Sequence, residues 1–431
     1  MDAQALALNT TIEKLNPNLF KMLSVRGRNI FFPKQGILSQ SAQARGKNIN
    51  ATIGEAWDDD GSPMHLEAFD TLLKINPKEA FPYAPSYGKP ELRDKWKEFI
   101  YAKNPSLNNT VISKPIATSG LTHGLSTAAY LFTDIGDVVL MPDLYWENYE
   151  LIFHNGYGAE VDTFELFKNG GFNTDGLARK LNSVQKEKIV LLLNFPNNPS
   201  GYTPVIDEVD RIVAEIGKIA HSGKKVVVIV DDAYFGLVYE ENVFPESIFT
   251  RLINLHEYVL AIKLDGPTKE DYVWGFRVGF ITYGVKGGTA ELYEALEAKT
   301  AGAIRGNISN ISHLSQSLLL NAYMNKDYGA AKQKKYTILK RRYDILKECF
   351  NNKKYTGYFE PLPFNSGYFM CIALKKGLNA EKIRLHLLEK YSTGVIVFGN
   401  VIRLAFSAIP QNKIQELVEN LYRACKDFEK E

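Results

Sequence analysis

The chain reads as an α/β protein. It has a large domain with a seven-stranded, mostly parallel sheet flanked by helices, and a smaller α/β domain built from both chain ends. Three observations predict this. Seven apolar runs, at 110–117, 137–141, 160–165, 188–194, 225–230, 258–264 and 278–283, alternate with helical patterns such as 125–132, 147–154 and 207–220. Two of the runs, VLLLN and VVVIV, are apolar without a break, as strands are when helices cover both faces of a parallel sheet. After about Ile304 the pattern turns helical. A long charged helix over 330–352 precedes short strands at 367–373, 394–398 and 401–406 and a last helix from Gln411. At 431 residues the chain is too long for one small core. The expected division is 1–60 as an N-terminal segment joining the small domain, 61–320 as the large domain and 321–431 as the small one.

Composition excludes several classes of function. A net charge of +2, with 23% charged and 45% hydrophobic residues, gives no electrostatic case for nucleic acid or an anionic membrane. The basic run KQKKYTILKRRY fits a solvated helix face better than a polyanion site, because Tyr336, Leu339 and Tyr343 keep an apolar helical spacing. Three cysteines, Cys349, Cys371 and Cys425, form neither a disulfide framework nor a metal-ligand spacing, so no metal is expected. The N-terminus lacks a basic region followed by an apolar core, and no run reaches membrane-spanning length, which predicts a cytoplasmic protein.

The residues that carry chemistry fall at the ends of the apolar runs, where doubly wound sheets bind ligands. In TKEDYVWGFRVGF, Lys269 follows the run 258–264, on a rigid edge where a lysine amine is desolvated and made nucleophilic. Arg277, eight residues on, offers a planar fork for a phosphate. Asp231 ends VVVIV and opens DDAYFG. A carboxylate buried there requires a cation such as a protonated pyridine nitrogen, or else serves as a helix cap, a role for which Asp232 is the better placed of the two. Tyr234, three residues on, is in reach of a ring hydroxyl. Asn198 lies in the rigid turn NFPNNPSG, which is either a plain turn or a mount for its amide. Gly120, Leu121 and Thr122 open a helix after a strand in SGLTHG; the junction is a phosphate site or an ordinary glycine turn, with His123 structural in the second case. Trp146 and Tyr145, in PDLYWENY, are stacking candidates or core.

Together these residues resemble the fold type I, class I/II aminotransferases of the aspartate/aromatic type that use pyridoxal 5'-phosphate. TIGEA, YAPSYG, SGLTHG, NNPSG, DDAY and TK…GFRVG occur in the family's order. The resemblance implies Lys269 as the Schiff-base lysine, which also moves the α-proton, and Asp231 as the partner of the pyridine nitrogen. It implies Asn198 and Tyr234 at the ring hydroxyl, Trp146 stacked on the ring, and Gly120, Leu121, Thr122, Thr268 and Arg277 about the phosphate. Tyr83 matches a tyrosine that reaches the neighbouring subunit's phosphate, implying a homodimer with shared sites. Arg403, in VIRLAFS, matches the arginine that clamps the substrate α-carboxylate, with Gly54 and Asn198 beside it. Arg305, in IRGNISN, matches an arginine for the distal carboxylate of dicarboxylic substrates, or else is a helix-start residue near the dimer contact. The implied reaction passes the amino group of an L-amino acid, aspartate or an aromatic one, to a 2-oxo acid, with glutamate and 2-oxoglutarate as one pair.

One departure stands out. Many members carry a serine three residues before the lysine; here the position is Gly266, and Thr268, or Tyr83 and Thr122, would take over its phosphate contact. Lys263 is the rival lysine, at the wrong separation from Arg277. Two other functions remain open: a β-lyase or decarboxylase using the same cofactor, and a non-catalytic regulator, against which the intact lysine, aspartate and arginine set argues.

Overall fold

The computed structural model describes residues 1–32, 36–67, 69, 75–108, 110–375 and 377–428. The large sheet contains β1 (Ile116–Thr118), β2 (Val138–Pro142), β3 (Glu160–Phe164), β4 (Lys188–Asn194), β5 (Lys225–Asp231), β6 (Val259–Asp265) and β7 (Gly279–Val285). Side by side they run β1-β7-β6-β5-β4-β2-β3. Strand β7 is antiparallel to both its neighbours, and the other pairings are parallel. Six strands therefore end at one edge of the sheet, and β7 begins there.

The central strands form because their β-branched and leucine residues bury on both faces: Ile189 to Leu193 and Val226 to Val230 are all enclosed. Helix α1 (Gly120–Phe132) packs on β6 and β7, and α2 (Ile206–His221) packs on β5. Helix α2 buries Val209, Ile212, Ile216 and Ile219, a spacing of three and four that keeps one stripe on the sheet. Its first turn is fixed by Glu208, whose carboxylate accepts the Val205 N–H at 3.0 Å.

Two of the expected elements differ. The run 110–117 enters the ladder only at Ile116–Thr118, because Pro115 has no N–H to donate. Ahead of it Ser113 still exchanges two hydrogen bonds with Tyr283, at 3.0 and 2.8 Å. The helix expected over 147–154 forms instead as a wider-wound turn at Glu150–Gly156.

A second sheet contains β8 (Phe359–Pro361), β9 (Phe369–Leu374), β10 (Ile396–Phe398) and β11 (Val401–Ala405), antiparallel in the order β8-β9-β11-β10. The short, proline-bearing β8 is not among the expected strands. Helix α3 (Ala290–Asn307) packs on α1 and β1 of the large sheet, while α4 (Tyr328–Cys349), α5 (Ala380–Lys390) and α6 (Ile414–Asp427) belong to the C-terminal half. The N-terminal segment returns to this half: Ile49 and Asn50 pair in parallel with Thr393 and Gly394, and Ala405 N–H donates to the Ala51 carbonyl at 2.9 Å. That pairing carries residues 52–56 to the ends of the large sheet's strands. Among the described residues no helix is long and apolar enough to cross a membrane. No group of three or more His, Cys, Asp or Glu among them is placed to hold a metal.

Candidate active site

The sheet topology decides which residues meet. Strands β1, β2, β4 and β6 deliver Gly120, Trp146, Asn198 and Lys269 just past their carboxyl ends, and β5 ends on Asp231. Arg277 arrives from the opposite direction, because it immediately precedes the antiparallel β7.

The two aspartates after VVVIV have different fates. Asp232 does not act as a helix cap. It forms a buried ion pair with Lys263, which also lies 3.2 Å from Asp265, and it accepts the Ser247 hydroxyl at 2.6 Å. Lys263 is thus neutralised inside the sheet and cannot rival Lys269. Asp231 is equally buried but receives only neutral donors in hydrogen-bond range: Tyr149 O–H at 2.6 Å and Ala233 N–H at 3.1 Å. Burial raises its carboxyl to about 6, against the lowering effect of those two bonds. The side chain of Asn194, opposite Asp231 in the ladder, holds this corner by donating to the Asp231 carbonyl at 2.8 Å and accepting the Asn198 N–H at 2.7 Å.

Lys269 sits on the short helix Pro267–Glu270, which Pro267 starts at a fixed φ. Its Nζ donates to the Gly54 carbonyl at 3.3 Å and lies 5.3 Å from the centre of the Tyr234 ring. Burial lowers the amine to about 8; Arg277 and Arg403 act the same way, while Glu55 and Asp231 oppose it. The Tyr368 hydroxyl anchors the backbone here by donating to the Lys269 carbonyl at 2.6 Å. On the far side the next two residues are tied down as well. Glu270 pairs with Lys103 at 2.6 Å and Lys332 at 2.5 Å, and Asp271 pairs with Lys332 at 2.9 Å.

Arg403, on β11, is brought over by the second sheet. It donates to the Asn198 side-chain oxygen at 3.3 Å and the Thr52 carbonyl at 3.1 Å, and its guanidinium lies 4.3 Å from the centre of the Phe369 ring. Its Nε is buried with no hydrogen-bond partner among the described residues. Lys269 and Arg403 are thus fastened to carbonyls two residues apart, at Gly54 and Thr52.

At the start of α1, Ser119 supplies no side-chain cap, so the first-turn N–H groups have neither an intrahelical partner nor a side-chain one among the described residues. Gly120 has φ +73°, and a Cβ there would stand 2.3 Å from Arg277 Nη2. The guanidinium therefore rests directly on the helix start. Arg277 itself adopts a left-handed backbone at φ 53°, a strained conformation for a residue with a side chain. His123 accepts the Ser119 N–H at 3.0 Å through Nδ1, which bends this turn, and burial lowers its proton affinity. The departure at Gly266 has a steric cause. A Cβ there would meet Gly279 Cα at 2.9 Å and Leu121 Cδ1 and the Val278 carbonyl at 3.1 Å, so β6 and β7 leave no room for a serine. Thr268 points its hydroxyl at the Val278 carbonyl, at 3.4 Å.

Trp146 stands edge-on to Tyr149, with ring centres 5.6 Å apart, while Tyr145 turns its hydroxyl onto Glu150. Tyr83 is 89% exposed. Arg305 lies in the last turn of α3 rather than at a helix start, exposed and donating to Ser309 Oγ at 2.9 Å. Sequence reasoning missed Tyr149, Asn194 and Tyr368. Only Tyr149 had a signal, one helical turn beyond Trp146.

This is the fold and the edge-of-sheet lysine of a fold type I enzyme. Residues 50–421 match the family model for aminotransferase class I and II, and the chain belongs to that family. It is 26% identical over 414 residues to a probable aspartate/prephenate aminotransferase of Aquifex aeolicus, covering 92% of this chain and 96% of that one. It is 25% identical to an LL-diaminopimelate aminotransferase of Dehalococcoides mccartyi over 391 residues, 90% and 89% of the two chains. A solved aminotransferase from Anaerococcus prevotii superposes with a TM-score of 0.83 at 25% identity, over 94% and 99% of the chains. The protein is a pyridoxal-phosphate-dependent transaminase.

The residues fit that cofactor. A buried carboxylate with no cation in hydrogen-bond contact suits a pyridinium, uncapped N–H groups under Arg277 suit a phosphate, and an amine lowered to about 8 suits an aldehyde.

Proposed function

We propose that this transaminase acts on an L-amino acid bound through its α-carboxylate by Arg403. The amino group passes to a 2-oxo acid, with glutamate and 2-oxoglutarate as one pair and aspartate or an aromatic amino acid as the other. The observation that carries the reading is the attachment of Lys269 and Arg403 to Gly54 and Thr52. A base and a carboxylate clamp held on one short segment fix the α-carbon of any amino acid at one distance from the amine.

When bound, pyridoxal phosphate supplies a ring that withdraws electrons from the substrate α-carbon. Asp231 would hold the positive end of that ring, with Trp146 as its stacking residue. Asn198 and Tyr234 would bind its hydroxyl. Gly120, Leu121, Thr122 and Arg277 would hold the phosphate, with Thr268 as neighbour. Lys269 Nζ, neutral in an appreciable fraction near pH 8, would be the group that takes and holds the substrate α-proton. Arg403 offers its free Nε to the carboxylate.

The exposure of Tyr83 supports a homodimer in which this tyrosine reaches the partner's phosphate. Arg305, also exposed, would serve the partner's site by binding a distal carboxylate. The domain division at 60 and 320 and a cytoplasmic location belong to the same reading. The deciding experiment assays a panel of amino acids with 2-oxoglutarate while following the cofactor spectrum. Formation of glutamate and the matching 2-oxo acid, lost in Lys269→Ala, is expected. Ammonia or carbon dioxide released without a 2-oxo acid partner would place the chain among the lyases or decarboxylases instead. Arg305→Ala should raise KM for dicarboxylic substrates and leave aromatic ones unchanged.

A further inference from the structure

Both elements joined by the buried bond from Tyr149 to Asp231 have their backbone fixed by other pairings. Strand β5 already ends in register with β4 and β6, and Tyr149 N–H is taken by the Trp146 carbonyl at 2.9 Å. Yet the phenol is 1% exposed and donates at 2.6 Å to Asp231 Oδ2. The carboxylate's other oxygen, Oδ1, takes the Ala233 N–H at 3.1 Å. Asp232 next door, by contrast, is paired with Lys263. Asp231 is given a neutral donor instead, so its negative charge remains for another cation.

We infer that Tyr149 is a positioning residue: its hydroxyl holds the Asp231 carboxylate ionised and in one rotamer without neutralising it. The inference rests on the proposed role of Asp231 at the cofactor nitrogen. Trp146, the residue proposed to stack on the cofactor ring, stands edge-on to the Tyr149 ring. Tyr149 can do this at any working pH, because burial and the facing carboxylate hold the phenol well above its ordinary value. The other ionisable groups facing Asp231 are Asp232, Tyr234 and Lys269. Of these Asp232 favours the protonated acid and Lys269 the carboxylate.

The test is Tyr149→Phe, which removes one oxygen and keeps the ring. In cofactor-free protein the carbonyl stretch of protonated Asp231, assigned by its loss in Asp231→Asn, is titrated by difference infrared spectroscopy. The wild-type midpoint is expected near 6. In Tyr149→Phe it should move up by roughly one pH unit, a tenfold change in the ionisation ratio, as loss of one charge-assisted hydrogen bond implies. A superposable titration overturns the inference. In loaded protein, ¹⁵N NMR of ring-labelled cofactor separates the two claims. If Asp231→Asn leaves the ring-nitrogen shift unchanged, the reading of Asp231 is wrong, whereas the infrared result for Tyr149 stands by itself. Turnover should fall in kcat rather than KM, since Tyr149 touches no substrate.

Discussion

The lysine amine offers the sharpest test. Burial lowers Lys269 from 10.5 to about 8. At pH 7 roughly a tenth of such an amine is neutral, against roughly 0.03% of an ordinary lysine, an increase of roughly 300-fold in the reactive form. Covalent attachment of pyridoxal phosphate to cofactor-free protein should therefore quicken about ninefold from pH 6 to 7 and about fivefold from 7 to 8, then level off by pH 9. Borohydride trapping followed by mass spectrometry measures the rate. A rate that climbs tenfold per unit through pH 10 refutes the argument. The same shift has a cost in stability. The unfolded chain binds more protons between about pH 8 and 10.5, so folding is weakened by the full amount below 8 and recovers as pH rises through that window. The difference amounts to about 3 kcal/mol. Lys269→Met should accordingly be more stable than wild type in urea at pH 7, by up to that amount, with the gain gone near pH 10.5. A gain independent of pH would point to packing rather than to charge.

Arg403→Lys keeps the charge but loses the fork, and should lower kcat/KM for every amino acid by roughly a hundredfold, mostly through KM; a loss confined to one substrate would contradict the α-carboxylate role. Gly120→Ala puts a Cβ 2.3 Å from Arg277 Nη2 at φ +73°. The backbone alone costs about 1–2 kcal/mol and Arg277 must also move, so the variant should release cofactor on dialysis that wild type survives. If the protein is the homodimer proposed, Tyr83→Phe and Lys269→Ala proteins, mixed and allowed to exchange, form hybrids with one complete site when Tyr83 serves the partner. Activity above that of either parent is expected, and none if each chain is self-contained.

Much of this was legible in the sequence, for a physical reason. Strands buried on both faces have no polar side to interrupt them, so Lys188–Asn194 appears at its full length as an apolar run. The residues at their ends, Asn198, Asp231 and Lys269, sit beside proline, glycine or charge, which marks the turn. Elements that depend on partners were not legible. β8 is three residues long, and β1 is cut short by Pro115. Asn194, at a strand's last position, looks like the end of an apolar run, and its two hydrogen bonds come from residues it meets only in the fold. Gly266 looked like a lost phosphate ligand. The closeness of β6 and β7 makes it a packing requirement instead.

The electrostatics of the molecule divide the same way. Away from the site several buried charges are matched by opposite charge: Lys263 with Asp232 and Asp265, Glu270 with Lys103 and Lys332, Arg342 with Asp59. At the site three are left under-compensated. Asp231 meets neutral donors, Arg403 keeps an unpartnered Nε, and Lys269 touches only a carbonyl at 3.3 Å. Each is unfavourable alone, and folds tolerate such groups only where surrounding structure fixes them. Here the fixing groups are Tyr149 and Asn194 for Asp231, Phe369 and the Thr52 carbonyl for Arg403, and Tyr368 with the Glu270–Lys332 pair for the lysine turn. The chemical inverse of those three groups is a ring cation, a carboxylate and an electrophilic carbon. A pyridoxal cofactor with an amino acid substrate presents all three, so the groups this edge leaves under-compensated match the pairing we propose for them.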